Sequence, residues 1–200
     1  THINLSTTAS GLKLIAAVAE DDCTVAFLPW AHVFGGSIEL PFVISSGAST
    51  VICPEPTQLA QYLPPAKPTA LLAVPRVWNK IYEGVNKAFG QLPAFQGALR
   101  ARAKQRRNEQ PSEEELAALT EAEANLFPLI RGVFGGRLRY ACSGAAALSQ
   151  DVAAFMDTLG IEVYEGYGMT ETSGALTCPP QHQTRLGSVG KPLPGVRLVL

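Results

Sequence analysis

Short apolar segments alternate with helical segments along almost the whole chain, and this alternation most restricts the fold. Five apolar strands are predicted, at Cys23–Leu28, Ser49–Cys53, Thr69–Val74, Leu138–Cys142 and Ile161–Tyr164. Buried strands that alternate with helices are typical of a mostly parallel, helix-covered sheet. The sequence therefore predicts an α/β fold, in which ligands bind beyond the carboxyl ends of the strands.

The helix boundaries are predicted from apolar spacing, capping residues, glycines and prolines. The predicted helices are Thr7–Ala19 (with Leu12, Ile15, Ala16 and Ala19 on one face), Gly36–Ile44, Thr57–Leu63 (with Thr57 as N-cap and Pro64-Pro65 as stop), Pro75–Phe89, a helix from Ser112 to about Ile130, and Gln150–Leu159. Ser112 and Glu115 form a capping-box pattern. Val196–Leu200 resembles the beginning of a further strand.

Composition excludes several classes of protein. The 200 residues are enough for one sizeable core, 46% are hydrophobic, and the net charge of −1 gives no basic surface for nucleic acid. The cysteines Cys23, Cys53, Cys142 and Cys178 include no C-x-x-C pair, which argues against a zinc site or a disulfide scaffold and favours a reducing, cytoplasmic location. Cys53 and Cys142 are predicted core residues. No apolar run reaches the roughly 18 residues of a membrane span.

The segment from Val163 to Thr172 combines an apolar strand, a glycine-flanked aromatic ring, hydroxyls and a carboxylate. An aromatic face can stack on a base, and Gly166 and Gly168 permit close backbone approach. A threonine hydroxyl can donate to a phosphate, and a glutamate can bind Mg²⁺. These groups together suit a nucleotide site. The alternative is that the segment is only a strand that ends in an ordinary polar turn. His32, Ser143-Gly144-Ala145 and Tyr167–Glu171 all follow predicted strands, so they are expected at one edge of the sheet.

Four segments together resemble the adenylate-forming enzymes, which include acyl-CoA synthetases, luciferases and adenylation domains. They are Leu28-Pro29-Trp30-Ala31-His32, Ser143-Gly144-Ala145-Ala146-Ala147-Leu148, Tyr167-Gly168-Met169-Thr170-Glu171 and Gly187-Ser188-Val189-Gly190-Lys191-Pro192-Leu193-Pro194-Gly195. Val74-Pro75-Arg76-Val77-Trp78 resembles the long-chain fatty acid–CoA ligase branch. The resemblance covers the whole chain and implies part of the large N-terminal domain of that fold. It also implies a phosphate loop before Thr1 and a C-terminal domain beyond Leu200, so the chain alone is expected to lack ligase activity.

The resemblance implies a role for each matching residue. Tyr167 stacks on adenine, with Gly168 and Met169 beside it, while Ser143 and Gly144-Ala145-Ala146 lie on the other side of the base. Thr170 binds the α-phosphate, Glu171 binds Mg²⁺, and His32 lies beside the α-phosphate and the acyl carboxylate. Val33, Phe34, Gly35 and Gly36 are candidates for the acyl pocket wall, with Val74-Pro75-Arg76 nearby. ATP, Mg²⁺ and coenzyme A are the expected cofactors and co-substrates.

Several alternatives stay open at the level of sequence. Ser143 is either a turn residue or a ligand contact, Glu165 has no assigned role, and Asp21-Asp22 are read as helix-end or surface carboxylates. Ala145 and Ala147 replace the usual second glycine and the proline of the motif, which leaves the pocket shape less defined. The expected function is fatty acid activation to acyl-CoA. The competing functions are a fatty acyl-AMP ligase, an aryl-CoA ligase, and a non-catalytic nucleotide- or acyl-binding relative.

A basic run at 100–107 precedes the acidic cluster Glu113-Glu114-Glu115. A solvated helical face with compensating acidic neighbours is the favoured interpretation. Docking on acidic lipid, as a peripheral membrane protein, or on the phosphates of coenzyme A is the alternative. The sequence predicts neither a nucleic-acid partner nor an oligomeric state.

Overall fold

Helices and strands alternate in a computed structural model, which describes residues 1–16 and 18–199 of the chain. The helices are α1 (His2–Ala16), α2 (Leu40–Ser46), α3 (Leu59–Ala66), α4 (Pro75–Phe89), α5 (Pro93–Arg106), α6 (Glu113–Glu121), α7 (Phe127–Gly132) and α8 (Gln150–Thr158). The strands are β1 (Cys23–Ala26), β2 (Ser49–Ile52), β3 (Ala70–Ala73), β4 (Tyr140–Ser143), β5 (Val163–Glu165), β6 (Tyr167–Met169), β7 (Gly174–Cys178) and β8 (Lys191–Pro192). The predicted α/β class is confirmed.

The five predicted strands form parallel pairs. β1 pairs with β2, and β3, β4 and β5 form a second sheet in that order. Thr69 joins the two groups, since its N–H donates to the Cys23 carbonyl over 2.9 Å and its Oγ1 accepts from the Cys23 N–H, also over 2.9 Å. The strands therefore lie in the spatial order β2-β1-β3-β4-β5, with β3 and β4 completely buried.

The helices on this sheet pack through aromatic side chains. The Phe155 ring of α8 meets the edge of Tyr82 of α4, with ring centroids 4.9 Å apart, and lies 6.2 Å from the Phe95 ring of α5. Trp78 of α4 is 0% exposed and belongs to the same core. Burial of aromatic rings of this size supplies a large part of a core's hydrophobic free energy. This packing holds β4 and β5 in place beneath their carboxyl-terminal loops.

Asp22 is buried, so the expectation of a surface carboxylate is wrong. It is 3% exposed and forms an ion pair with Arg139, whose Nε lies 3.2 Å from Oδ1. Burial alone would raise the pKa of Asp22, but hydrogen bonds from Thr69, the Ala19 N–H and Arg139 lower it overall. The residue therefore ties the entry of β1 to the segment before β4, and its role is structural.

A separate antiparallel sheet follows β5, where the sequence predicts a loop. β6, β7 and β8 are antiparallel, with Met169 opposite Gly174 and Cys178 opposite Lys191. This pairing places the Gly187–Gly195 segment along β7. Gly190 is required there, because a Cβ at its φ of 79° would lie 2.2 Å from the Pro179 nitrogen. The small antiparallel sheet thus fixes the turn that carries Thr170 and Glu171.

Two helices in the first part of the chain have boundaries that differ from the predicted ones. α1 spans His2–Ala16 instead of Thr7–Ala19, while Ala17 lies outside the described residues. Thr57 lies in a short 3₁₀ turn, Pro56–Gln58, and makes no N-cap, and α3 continues through Pro64-Pro65 to Ala66. A proline has no N–H, so Pro64 and Pro65 cannot donate hydrogen bonds to the carbonyls of Ala60 and Gln61 four positions earlier. Both of those residues are exposed, so water can bind their carbonyls.

Three other predicted elements differ in detail. The predicted helix Gly36–Ile44 is a π-helical turn, Phe34–Glu39, followed by α2. β2 is an edge strand with an exposed Ile52, not the buried strand that its apolar sequence predicted. No strand forms over residues 196–199, and Leu200 lies outside the described residues.

α5, α6 and α7 form a helical arm. The single helix predicted from Ser112 to about Ile130 begins where expected, but a π-helical turn, Ala122–Leu126, divides it into α6 and α7. Both hydrogen bonds of the Ser112–Glu115 capping box are present. The basic run of α5 is largely paired with acids, as the solvated-face interpretation predicts: Lys104 lies 2.8 Å from Glu115, and Arg106 lies 2.8 Å from Asp157. Within the described part of the chain, no helix is both long and apolar enough to cross a membrane.

Candidate active site

Three segments that follow β1, β4 and β5 meet at one cavity of about 150 Å³, here called the motif cavity. The residues around it come from both sheets and from the π-helical turn. They are Leu12, His32, Val33, Phe34, Ile38, Cys142, Ser143, Gly144, Ala145, Gly166, Tyr167, Gly168, Met169, Thr170, Gly174, Ala175, Thr177 and Cys178. The sequence predicts that His32, Ser143–Ala145 and Tyr167–Glu171 converge at one sheet edge, and all of these residues except Glu171 border the cavity.

The loop after β1 brings His32 to the cavity in a defined orientation. The Phe34 N–H donates to His32 Nδ1 over 3.2 Å, and the Gly36 N–H donates to the His32 carbonyl over 2.8 Å. Because Nδ1 accepts a hydrogen bond, the neutral imidazole carries its proton on Nε2. His32 is exposed, as is the neighbouring Trp30. The imidazole can therefore offer a donor to an anion in the cavity.

The turn after β4 contains a strained residue. Ala145 has a φ of 70°, in the left-handed region that favours glycine. The replacement of the usual second glycine thus affects backbone energy as well as pocket shape. Gly144 has a different constraint, since a Cβ there would lie 3.2 Å from the Phe34 ring. The turn is also held by Glu165, whose carboxylate accepts the Leu148 N–H over 3.0 Å. Glu165 therefore has a structural role.

The turn from Tyr167 to Ser173 presents its functional groups outward. Tyr167 is 46% exposed at the cavity edge, and Thr170 borders the cavity. Thr172 closes the turn, because its Oγ1 accepts from the Met169 N–H over 3.1 Å and donates to the carbonyls of Met169 and Gly174. Glu171 is exposed and makes no hydrogen bond or ion pair with any described residue. Its carboxylate is available to a cation or ligand.

Buried polar groups without partners cluster at the cavity. Ser143 Oγ and Thr177 Oγ1 both border it, and neither hydroxyl has a hydrogen-bond partner among the described residues. Glu39, at the end of the π-helical turn, is 1% exposed with both carboxylate oxygens unpartnered, and burial raises its pKa to about 8. Unpaired buried hydroxyls are costly unless a ligand or water satisfies them. Ser143 is thus suited to contact a ligand as well as to end β4.

Some of the predicted site residues do not border the motif cavity. Gly35 and Gly36 pack against backbone, since Cβ atoms on them would lie 2.6 Å from the Pro29 carbonyl oxygen and 2.1 Å from that of Trp30. They provide close packing in place of space for an acyl chain. Ala146 and Glu171 are exposed beside the cavity.

The Val74–Trp78 segment lies at a different cavity. Val74, Arg76 and Val77 border an apolar cavity of about 470 Å³ between α3, α4 and the end of β1. Leu28, Leu59, Leu63 and Ile81 are among the other apolar residues of its wall. None of Val74, Pro75 and Arg76 borders the motif cavity, and the expectation that Val74-Pro75-Arg76 lies near an acyl pocket wall stays a prediction. The Trp78 indole nitrogen is buried and has no partner among the described residues.

Several residues that border the motif cavity were not predicted from the sequence as site residues. Leu12 and Ile38 come from α1 and the π-helical turn, and Ala175, Thr177 and Cys178 come from β7. None carries a local motif, and β7 itself was not predicted. The short, mostly apolar run Gly174–Cys178 is the one signal that could have indicated a buried strand.

Comparison with known proteins gives a single family. The model of the AMP-binding enzyme family matches residues 1–200. The chain is 30% identical over 207 residues to peroxisomal long chain acyl-CoA synthetase 6 of Arabidopsis thaliana, covering 100% of this chain and 28% of the relative. It is 28% identical over 214 residues to long-chain-fatty-acid–CoA ligase 2 of Schizosaccharomyces pombe, covering 100% and 30%. The chain thus spans less than a third of the length of these relatives.

Solved structures agree at the level of the fold. Apo MatB from Rhodopseudomonas palustris matches with a TM-score of 0.65 at 23% identity, covering 97% of this chain and 30% of that one. A benzoate CoA ligase from Burkholderia xenovorans matches with a TM-score of 0.65 at 22% identity, covering 98% and 32%. With the family match over the full chain and the strand-end motifs around one cavity, this chain belongs to the AMP-binding enzyme family.

Proposed function

We propose that this chain is part of the N-terminal AMP-binding domain of a longer long-chain fatty acid–CoA ligase. The observation that carries the proposal is the meeting of His32, Ser143–Ala145 and Tyr167–Thr170 at the motif cavity. The similarity to long-chain acyl-CoA synthetases over the whole chain supports the substrate class. The other co-substrates are ATP and coenzyme A.

In the proposed reaction, a fatty acid carboxylate oxygen attacks the α-phosphorus of ATP and pyrophosphate leaves. The thiol of coenzyme A then attacks the acyl carbonyl, and AMP leaves. The first step brings two anions together, so catalysis depends on positioning and on donors aimed at the developing charge. His32, with its proton on Nε2, and the Thr170 hydroxyl are the donors that this cavity offers.

The base of the nucleotide would stack on Tyr167, whose exposed ring stands at the cavity edge. Ser143, Gly144 and Ala145 would face the base from the end of β4, and the unpaired Ser143 hydroxyl offers it a polar contact. Val33, Phe34, Leu12, Ile38 and Ala175 form the apolar part of the cavity. We assign the first part of the acyl chain to this surface.

Glu171 fits a magnesium ion carried in with the nucleotide. No group of three or more acidic, histidine or cysteine side chains in the described part of the chain could form a protein cage for a metal. Mg²⁺ commonly binds through one or two carboxylates, substrate phosphates and waters, so a single unpaired carboxylate beside Thr170 is a suitable donor set. The ion would neutralise phosphate charge.

The test is carboxylate-dependent exchange of pyrophosphate into ATP, measured on the whole protein that contains this chain with acids from acetate to very long acyl chains. The proposal predicts exchange that rises with long acids, and acyl-CoA when coenzyme A is added. Exchange with long acids but no thioester would indicate a fatty acyl-AMP ligase, and preference for aromatic acids an aryl-CoA ligase. No exchange from folded protein would leave the non-catalytic binding function.

A further inference from the structure

The apolar cavity between α3, α4 and the end of β1 has two cations at its border. Arg76 and Lys80 lie one helical turn apart on α4, both are exposed, and both border the cavity. Neither side chain makes a hydrogen bond or an ion pair with any residue that the structure describes. The basic residues of α5 differ, since Lys104 and Arg106 are paired with acids. The two cations of α4 are therefore available to an anion from outside the chain.

The rest of the wall suits a hydrocarbon chain. Apart from the two cations and Thr57, every described residue at the border of this cavity is apolar. Leu59 and Leu63 come from α3, and Val77 and Ile81 come from α4. The volume of about 470 Å³ lies in the range of sites that bind small molecules. A ligand with an apolar tail and an anionic head matches both parts of this wall.

The apolar cavity is separate from the motif cavity. No described residue borders both of them. Leu28 and Pro29 border the apolar cavity, whereas His32, four positions after Leu28, borders the motif cavity. The intervening backbone is closely packed, because a Cβ on Gly35 would lie 2.6 Å from the Pro29 carbonyl oxygen. Backbone atoms therefore fill the space between the two cavities at this point.

We propose that the apolar cavity binds a free long-chain fatty acid, at a site additional to the reaction site at the motif cavity. The carboxylate lies at Arg76 and Lys80, and the chain lies between α3 and α4. An arginine can bind a carboxylate through two parallel hydrogen bonds, and a lysine adds a compact positive charge. Each buried CH₂ strengthens binding by about fourfold, so long acids bind and acetate does not.

The experiment is photolabelling of the whole protein with a palmitate analogue that carries a diazirine at the end of its chain. Digestion and mass spectrometry then locate the label. An acyl-sulfamoyladenosine, which is an unreactive analogue of an acyl-adenylate, is added in a parallel sample to occupy the motif cavity. We expect label on the α3 and α4 peptides in both samples, and loss of label from the motif cavity alone when the analogue is present.

Two results of this labelling would overturn the proposal. Folded protein without label on α3 or α4 would show that the apolar cavity takes no fatty acid. Loss of that label with the acyl-sulfamoyladenosine would show that a single acyl chain occupies both cavities. Because photolabelling needs no catalysis, it tests this site even if the protein fails to exchange pyrophosphate.

Variants and competitors test the anionic head. Arg76→Ala/Lys80→Ala should raise the Kd of palmitate at this site roughly tenfold, as expected for the loss of charge-assisted hydrogen bonds. Lys87→Ala is the matched control, because Lys87 is exposed on the same helix and does not border the cavity. Hexadecanol, which has the same chain without the carboxylate, should displace the probe poorly from the wild type. High salt should weaken binding of palmitate.

Three further results would count against a fatty acid site. They are equal affinity of the double variant and Lys87→Ala, with circular dichroism showing that both fold, equal displacement by hexadecanol and palmitate, and displacement by phosphatidic acid vesicles but not by free palmitate. The last result would assign the cavity to a membrane lipid. If the double variant does not fold, the comparison of hexadecanol with palmitate on the wild type decides.

Discussion

Two cavities of the molecule, the motif cavity and the apolar cavity, differ in size and in the residues that line them, and the smaller one has the more unusual wall. The apolar cavity, at about 470 Å³, is the larger, and ordinary helix side chains such as Leu59, Leu63 and Ile81 line it. The motif cavity holds about 150 Å³, yet a left-handed alanine, close backbone contacts and unpaired hydroxyls form its walls. Strain and unsatisfied polar groups persist where function requires them. The residues that line a cavity therefore indicate a reaction site better than the volume of the cavity does.

The strongest test of this contrast is Glu171→Ala in the whole protein. We expect adenylation to fall by roughly 10²–10³-fold, since that is the usual effect of removing one electrostatic contact to a transition state. Folding should not change, because Glu171 is exposed and unpaired among the described residues. Pyrophosphate exchange and a thermal melt measure the two effects. The matched control is Glu113→Ala on α6; equal exchange by the two variants would remove Glu171 from the site.

A second test uses the two glycines that flank Tyr167. A Cβ on Gly168 would lie 2.1 Å from the Gly174 carbonyl oxygen, whereas one on Gly166 would lie 3.4 Å from that of Thr177. We expect Gly168→Ala to lower the free energy of unfolding by about 2–3 kcal/mol, because β6 and β7 must separate, and Gly166→Ala to lower it by less than about 1 kcal/mol. Denaturant unfolding measures both. Equal stability of the two variants would show that the strands are not so close.

A third test concerns the buried Glu39 carboxyl at the end of the π-helical turn. Its pKa of about 8 in the fold, against an ordinary value near 4.5, means that the folded state holds a proton that the unfolded state releases. Stability should therefore fall as the pH rises from about 4.5 to about 8. Glu39→Gln removes this loss of stability. The free energy of unfolding of the variant should therefore exceed that of the wild type by an amount that grows to a few kcal/mol across that window, at about 1.4 kcal/mol per pKa unit. A constant difference from pH 5 to pH 8.5, measured by denaturant unfolding, would contradict a protonated Glu39.

A fourth test relieves the strained residue. Ala145→Gly should raise the free energy of unfolding by about 0.5–1 kcal/mol, because the left-handed conformation costs an alanine roughly 1–2 kcal/mol and glycine loses part of that gain as chain entropy. Ala146→Gly, at an exposed position without a left-handed φ, should be neutral or destabilising. Denaturant unfolding compares them. A stabilising Ala146→Gly with a destabilising Ala145→Gly would place the strain elsewhere.

The smallest effect is expected at the apolar cavity. Ala60→Leu projects a larger side chain from α3 at the edge of that cavity, where Ala60 is exposed. Stability should change by no more than about 0.5 kcal/mol, as for most surface substitutions, and pyrophosphate exchange with a short acid should be unaffected. A large loss of exchange would show that the apolar cavity takes part in the chemistry and would end the contrast between the two cavities.

The sequence predicted those parts of the fold that local signals determine. Pro75 begins α4 where expected, the Ser112–Glu115 capping box is formed, and the strand ends bring His32 and Ser143 to one edge. Each depends on residues close together in the chain, or on the rule that parallel strands share an edge. The site residues with motifs were therefore the easiest to predict.

The parts that were missed depend on contacts distant in sequence. β6 exists because Gly168 lets its backbone reach Gly174, and β8 because Gly190 lets Lys191 pair with Cys178. Asp22 is buried only because Arg139, which lies 117 positions later in the chain, pairs with it. Tertiary partners of this kind override local propensity, and a single sequence carries no local sign of them.

The placement of the two tryptophans has a spectroscopic consequence. Trp78 is 0% exposed, whereas Trp30, two positions before His32, is 46% exposed. With no other tryptophan in the sequence, emission from the protein divides into a shielded component and a component open to water-soluble quenchers. Occupation of the motif cavity beside His32 should alter the quenchable component alone, while loss of the core should shift the shielded one. The chain therefore carries separate optical reporters for ligand binding and for unfolding, without any added dye.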